Sequence, residues 1–265
     1  MTYELLDSGD EQKLERFGDY YLIRPCPQAL WHPQSPKIWT EAHATFSRET
    51  PWKGLPKSWN IDYKKLAFKL SPTPFGHLGI FPEHAQHWDW MGSKLNPASE
   101  ILNLFAYSGG ATMHLAQHGH RVCHLDASKG MVEWARQNAA LNSLEDAPIR
   151  WIVDDTLKFL KREIKRKKQY DALILDPPTF GRGSQGQVFK IEKDLLPLLS
   201  LCRSVLKPRP SFILLTCHTP GLTPQILQNL LCQTLPSIQV ESGEMLLPSK
   251  NFSLPSGTYA RGSSW

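Results

Sequence analysis

Asp176-Pro177-Pro178-Thr179-Phe180 directly follows the apolar run Ala172-Leu173-Ile174-Leu175. Four consecutive apolar residues bounded by a turn signal read as a buried strand. Proline cannot donate to a ladder, so two prolines stop that strand at Asp176. The stop leaves one carboxylate and a stiff turn at the carboxyl end of a strand, the edge at which open α/β sheets bind ligands. Taken alone, the pentapeptide reads equally well as a solvated turn. The rest of the chain turns it into a pocket wall.

From Asn96-Pro97 onward, strands and helices alternate. Ile101–Phe105, Arg121–Leu125, Ile149–Val153, Ala172–Leu175 and Ser211–Leu215 read as strands. Between them, Ala111–Gln117, Lys129–Asn142, Leu157–Lys168 and Leu195–Leu206 read as helices, with Ser128 placed to cap the second. A βαβα succession implies an α/β fold with a doubly wound, mostly parallel sheet. Tyr259–Trp265 reads as its last strand. The chain before this region is rich in proline and aromatics: six of nine tryptophans precede residue 91. We expect a small β-rich module over 1–75, most of its tryptophans serving as core, and the α/β domain over 76–265.

The 265 residues, 41% of them hydrophobic, suffice for a packed core. The net charge of +5 is compatible with a nucleic-acid partner without requiring one. The five cysteines, Cys26, Cys123, Cys202, Cys217 and Cys232, show no CxxC pair and no zinc spacing with histidine. That pattern implies reduced thiols, a cytoplasmic setting and no metal. No secretory leader is visible, and no apolar run approaches the ~18 residues of a membrane span, so no membrane partner is expected.

Four of these strands end in a polar group or a glycine turn: Tyr107-Ser108-Gly109-Gly110, Asp126, Asp154-Asp155 and Asp176. Any one could be a cap or turn residue. In a parallel sheet, however, they share one edge. The first turn lacks the G-x-G-x-x-G spacing of a pyrophosphate site, which argues against a nicotinamide dehydrogenase. Asp126 lies near the distance at which a carboxylate takes ribose hydroxyls. The set suits an adenosine-type ligand without a diphosphate, such as S-adenosylmethionine.

Leu102–Gly110 and Asp176–Phe180 resemble the class I S-adenosylmethionine-dependent methyltransferases, whose fold is a Rossmann-like seven-stranded sheet. More narrowly they resemble the branch of bacterial large-subunit ribosomal RNA methyltransferases that make 5-methylcytosine. Asp126-Ala127-Ser128 matches that family's second-strand end and Asp155-Thr156 its third-strand motif. Gly79–His84 is similar to the segment that folds over the cofactor. The resemblance implies that Asp126, with Ala127 and Ser128, holds the ribose, and Asp155, with Thr156, the adenine. Asn103, Phe105, Ala106, Tyr107 and Gly109 would cradle the methionine part. Phe81, Glu83 and His84 would close the pocket, with Asp176 and Pro177 near the methyl and the target base. S-adenosylhomocysteine would be the product and RNA, ribosomal above all, the partner.

Cytosine C5 is not nucleophilic, and a thiolate adding to C6 is the usual remedy. In Thr216-Cys217-His218-Thr219, the resemblance makes Cys217 the candidate nucleophile and Asp176 the partner of N3. Packing as a small buried hydrophobe is the alternative. His218 departs from the family pattern and, next to Cys217 on an extended chain, points the other way. A non-RNA acceptor and a non-catalytic RNA-binding relic also stay open. Lys161–Lys168, with six basic residues, reads as a phosphate contact or as a solvated helix end.

Overall fold

A computed structural model describes residues 2–50, 52–182 and 188–263. It comprises two compact units, one of Met1–Glu83 and Leu246–Ser256, the other of His84–Met245 and Gly257–Trp265.

In the first unit, β1 (Tyr3–Gly9), β2 (Gln12–Phe17), β3 (Tyr20–Pro25) and β4 (Ala44–Thr45) form a sheet in that order. β1 to β3 pair antiparallel, and β3 pairs parallel with β4. A second ribbon joins β5 (Trp59–Tyr63) to β6 (Leu66–Leu70). Its two turn residues, Lys64 and Lys65, are both left-handed, as a twisted two-residue hairpin demands. The core comprises Leu5, Leu14, Phe17, Leu22, Ile61 and Phe68. Among them Glu15 is fully buried. It accepts from Arg24 at 2.7 and 2.9 Å and from the Tyr3 hydroxyl at 3.0 Å, with the Lys13 ammonium 3.2 Å away. Burial alone would raise its pKa; Arg24 and Lys13 outweigh burial and hold it below the usual value. The indoles of Trp31, Trp39, Trp52 and Trp59 donate to Ser8, Asp7, Thr73 and Phe17 inside the unit, as structural tryptophans do.

The second unit starts with α1 (Trp88–Ser93) and continues through β7 (Glu100–Leu104), α2 (Gly110–Gln117), β8 (Arg121–Asp126), α3 (Lys129–Leu141), β9 (Ile149–Val153) and α4 (Thr156–Lys165). Then come β10 (Ala172–Leu175), β11 (Phe180–Arg182), β12 (Val188–Lys190), α5 (Ile191–Val205), β13 (Phe212–Cys217), α6 (Pro224–Thr234), β14 (Gln239–Leu247) and β15 (Leu254–Ser263). The central sheet has seven strands in the order β14-β15-β13-β10-β7-β8-β9. Its five strands from β9 to β13 are parallel, and β15 runs antiparallel to β13. This is the expected α/β sheet. The order reverses between β7 and β10, which makes the carboxyl ends of these two strands the switch point of the fold. The main core lies among β7, β8, β10, β13 and the helices α4 to α6.

In this unit α1, the β11–β12 hairpin that continues the Asp-Pro-Pro turn, α6 and β14 went unread in the sequence, and β14 rather than the chain's last strand forms the sheet edge. Ser264 and Trp265, assigned to that last strand, lie outside the described residues.

Candidate active site

The turn between β7 and α2 is held in an unusual path. Phe105, Tyr107 and Gly109 all have positive φ, at 57°, 50° and 89°. Left-handed backbone costs a side-chain-bearing residue about 1–2 kcal/mol, so two such residues in five need outside support. That support is visible. The Ala106 amide donates to the Leu125 carbonyl at 3.0 Å, and the Asn138 amide group of α3 donates to the Ser108 carbonyl at 3.0 Å. The Tyr107 amide donates to Asp126 Oδ2 at 3.0 Å. A Cβ at Gly109 would stand 3.1 Å from Ala135 Cβ, so Ala135 would have to give by a few tenths of an ångström, and the φ of 89° strains any side chain there.

Asp126 thus has a structural duty of its own. Oδ1 accepts from the Ser128 amide at 2.9 Å, as Oδ2 does from Tyr107. Burial pushes its pKa up, and the two amides pull against that push. An ionised carboxylate offers about four acceptor positions, so two occupied positions leave capacity for a ligand. Ala127 follows it, and Ser128 caps α3 by accepting from Met131 N.

Asn103 lies inside the sheet, buried. Its side chain donates to Thr112 Oγ1 at 3.0 Å, and that hydroxyl meets His124 Nδ1 at 2.9 Å. Burial lowers the pKa of His124 to about 3, so this ring is neutral at ordinary pH and pins the first turn of α2 to β8. Asp155 caps α4, its Oδ1 accepting from Lys158 N at 2.9 Å, and Thr156 is the buried first residue of that helix. Phe81 and Glu83 belong to the first unit, where the Phe81 ring meets that of His77 edge-on and Glu83 accepts from the Ser256 hydroxyl at 2.8 Å.

Asp176 stands at the end of β10, followed by the buried Pro177. Its Oδ1 accepts from Thr216 Oγ1 at 2.8 Å and lies 3.5 Å from His218 Nδ1, while Oδ2 lies 3.5 Å from His84 Nε2. The two imidazoles are stacked, their centroids 5.4 Å apart. Burial alone would raise the Asp176 pKa; His84, His218 and the Thr216 hydroxyl reverse the sign and hold it far below the usual carboxylate value. The site therefore carries a fixed negative charge between two rings. His84, Asp176 and His218 each offer an atom suited to a metal ion.

The structure does not bring Cys217 to this group. Along β13 successive side chains alternate faces: Thr216 reaches Asp176, and Cys217 turns into the core with Leu175, Leu215 and Leu227, 1% exposed. Its sulfur accepts from the Thr219 amide at 3.3 Å. Thr216 and His218 beside Asp176, and Asn138 under the turn, were not assigned to the site from the sequence. The period-2 alternation of β13 could have found the first two.

The sequence pattern of the S-adenosylmethionine-dependent methyltransferases matches residues 49–249, well over half the chain. The chain belongs to that family. A solved methyltransferase from Agrobacterium tumefaciens is 34% identical and superposes with a TM-score of 0.95, covering 99% of this chain and 90% of its own. A solved structure described as SMU.776, a putative methyltransferase complexed with S-adenosylhomocysteine, shares the fold at 16% identity and a TM-score of 0.78, over 98% of this chain and 75% of its own. Ribosomal RNA large subunit methyltransferase K/L from Shewanella sp. strain MR-4 is 29% identical over 173 residues, 61% of this chain. The chain spans only about a quarter of the length of that relative, 24%. As a family member the methyltransferase uses S-adenosylmethionine as its cofactor.

Proposed function

We propose that this methyltransferase transfers a methyl group to a base of RNA, ribosomal RNA first, and works in the cytoplasm. The observation that carries the reading is the shared carboxyl edge of β7, β8 and β10, where a strained turn, the half-buried Asp126 and the ionised Asp176 stand around the switch point. The name of the Shewanella relatives supports RNA as acceptor, and no described helix is long and apolar enough to cross a membrane.

The donor set fits an adenosine-type cofactor that supplies an electrophilic methyl group. Asp126, with Ala127 and Ser128, would take the ribose hydroxyls. Asp155 Oδ2, beside Thr156, would accept from the adenine amine while Oδ1 keeps its cap. The Phe105–Gly109 turn, stiffened by Asn103, would hold the methionine part. His84 would cover it, and Asp176 and Pro177 would face the acceptor. The catalytic core would be 76–265. Methyl transfer needs alignment more than acid–base help, so the rigidity of these groups is their contribution.

For the acceptor atom, the orientation of Cys217 favours direct transfer to an atom that is already nucleophilic, a base nitrogen, over cytosine C5 through a Cys217 adduct. The adduct reading needs the thiol on the face that Thr216 and His218 occupy. Labelled-methyl assays on RNA and protein from a deletion strain, with mass spectrometry of the nucleosides, test both. Labelling confined to protein would reject the RNA reading, and 5-methylcytosine lost with Cys217→Ala would restore the adduct.

A further inference from the structure

We propose that His84, Asp176 and His218 form a binding site for one divalent transition-metal ion, with zinc the best match. Two imidazole nitrogens and a carboxylate oxygen are donors that Zn²⁺ takes, and three protein ligands with an open fourth position is the pattern of zinc sites that keep exchangeable water.

The spacing supports it. With metal–ligand bonds of about 2.0–2.1 Å in tetrahedral geometry, neighbouring ligand atoms stand roughly 3.3–3.4 Å apart. His84 Nε2 lies 3.5 Å from Asp176 Oδ2 and His218 Nδ1 lies 3.5 Å from Oδ1, the other oxygen of the same carboxylate, and one ligand atom from each of the three residues lies within 4.8 Å of the other two. A charge-assisted hydrogen bond between imidazolium and carboxylate contracts to about 2.7–2.9 Å. The observed contacts are longer than that and near the edge length of a coordination polyhedron.

The supports are also those of a metal site. Asp176 and His218 follow paired neighbours, β10 and β13, which are in register at Leu175 and Leu215. His84 lies in the 3-10 turn Pro82–His87. The Thr216 hydroxyl donates to the carboxylate oxygen nearer His218, which fixes the carboxylate plane as partners of metal ligands do. The three residues are 92 and 42 positions apart in the chain. Cysteine and histidine spacing, on which the expectation of no metal rested, cannot see such a set. The inference rests on this geometry and holds for any methyl acceptor.

Tag-free protein, stripped with chelator and titrated with Zn²⁺ against a chelating dye, should bind one ion per chain. Co²⁺ in its place should give the intense visible absorption of a low-coordinate site. His84→Ala and His218→Gln should each weaken Zn²⁺ at least tenfold, and Thr216→Val, which leaves the ligands in place, about 10–100-fold. S-adenosylmethionine binding and circular dichroism on the same samples report the fold and the cofactor pocket separately from the metal. Wild-type protein that retains neither ion in stoichiometric amount, or a folded double variant of both histidines that binds Zn²⁺ as wild type does, overturns the proposal.

Discussion

Replacing Asp126 by Asn changes one atom and separates the two duties of this side chain. The carboxylate accepts from Tyr107 N and Ser128 N through different oxygens, at 3.0 and 2.9 Å. An amide has one acceptor oxygen, so one of the two backbone donors would face an NH2 group instead. Both contacts are at least partly open to solvent, so losing one costs the net worth of a hydrogen bond, about 0.5–1.5 kcal/mol, and the folded state should lose that much in urea unfolding. Cofactor binding should suffer separately. A hydrogen bond to a charged acceptor is worth about 1.5–3 kcal/mol; loss of one of two ribose contacts therefore weakens S-adenosylmethionine about ten- to a hundredfold, read by calorimetry. The pH dependence follows from the raised pKa. Ionising Asp126 is harder in the folded chain than in the unfolded one, so its contribution to stability declines as pH rises from the unfolded value through the folded one. Affinity for the cofactor should climb across the same window, because the ionised form is the acceptor. A folded Asp126→Asn variant that binds the cofactor within twofold of wild type would refute the ribose role.

Cys217→Ala should keep methyl transfer within about twofold and cost roughly 1 kcal/mol of stability for the small cavity; abolished transfer by a folded variant would contradict the assignment of this thiol to the core. Glu15→Ala strands the buried Arg24 and should destabilise the protein by about 3–5 kcal/mol in thermal or chemical unfolding, whereas an unchanged transition would show the cluster to be dispensable. Burial lowers the pKa of His87 and His124 to about 3 and of His114 to about 4. Their contribution is complete above the unfolded value near 6.5 and is lost as pH falls toward 4, by up to about 1.4 kcal/mol per pH unit for each ring. Unfolding free energies that stay level between pH 7 and 5 would count against this.

The parallel strands were legible because their apolar runs are bounded by turn residues, and Ser128 was legible as a cap because its chemistry is local. The full length of α5 was not: its first turn, Ile191–Asp194, carries three charged residues in four and shows no apolar period. β14 was missed because it alternates exposed and partly buried residues to Glu244 and offers no continuous apolar run. At the site, strand ends could be placed from sequence alone, since a carboxylate beside a strand stop needs no long-range information. The company each carboxylate keeps could not. Asp126 needs the Tyr107 amide and Asp176 needs Thr216 and His218, brought by strand pairing, and Asp176 also needs His84, brought by the distant turn Pro82–His87. Asp155 shows the opposite limit, for its pattern fits a helix cap and an adenine acceptor equally.

The first unit is made from both ends of the chain, and this has a consequence for synthesis. Residues 246–256 supply Phe252 against Trp31, the Pro255 carbonyl to Gln28 and the Ser256 hydroxyl to the buried Glu83. A ribosome releases the first 83 residues well over a hundred codons before those partners exist. Until then Glu83 has to stay hydrated or be shielded, and the aromatic edge at Trp31 is uncovered. Domains that are continuous in sequence close as they emerge. The first unit closes only once residues 246–256 have emerged, so slowing translation should give no head start to its assembly, and a chain truncated before Leu246 should expose Trp31 to quenchers and proteases.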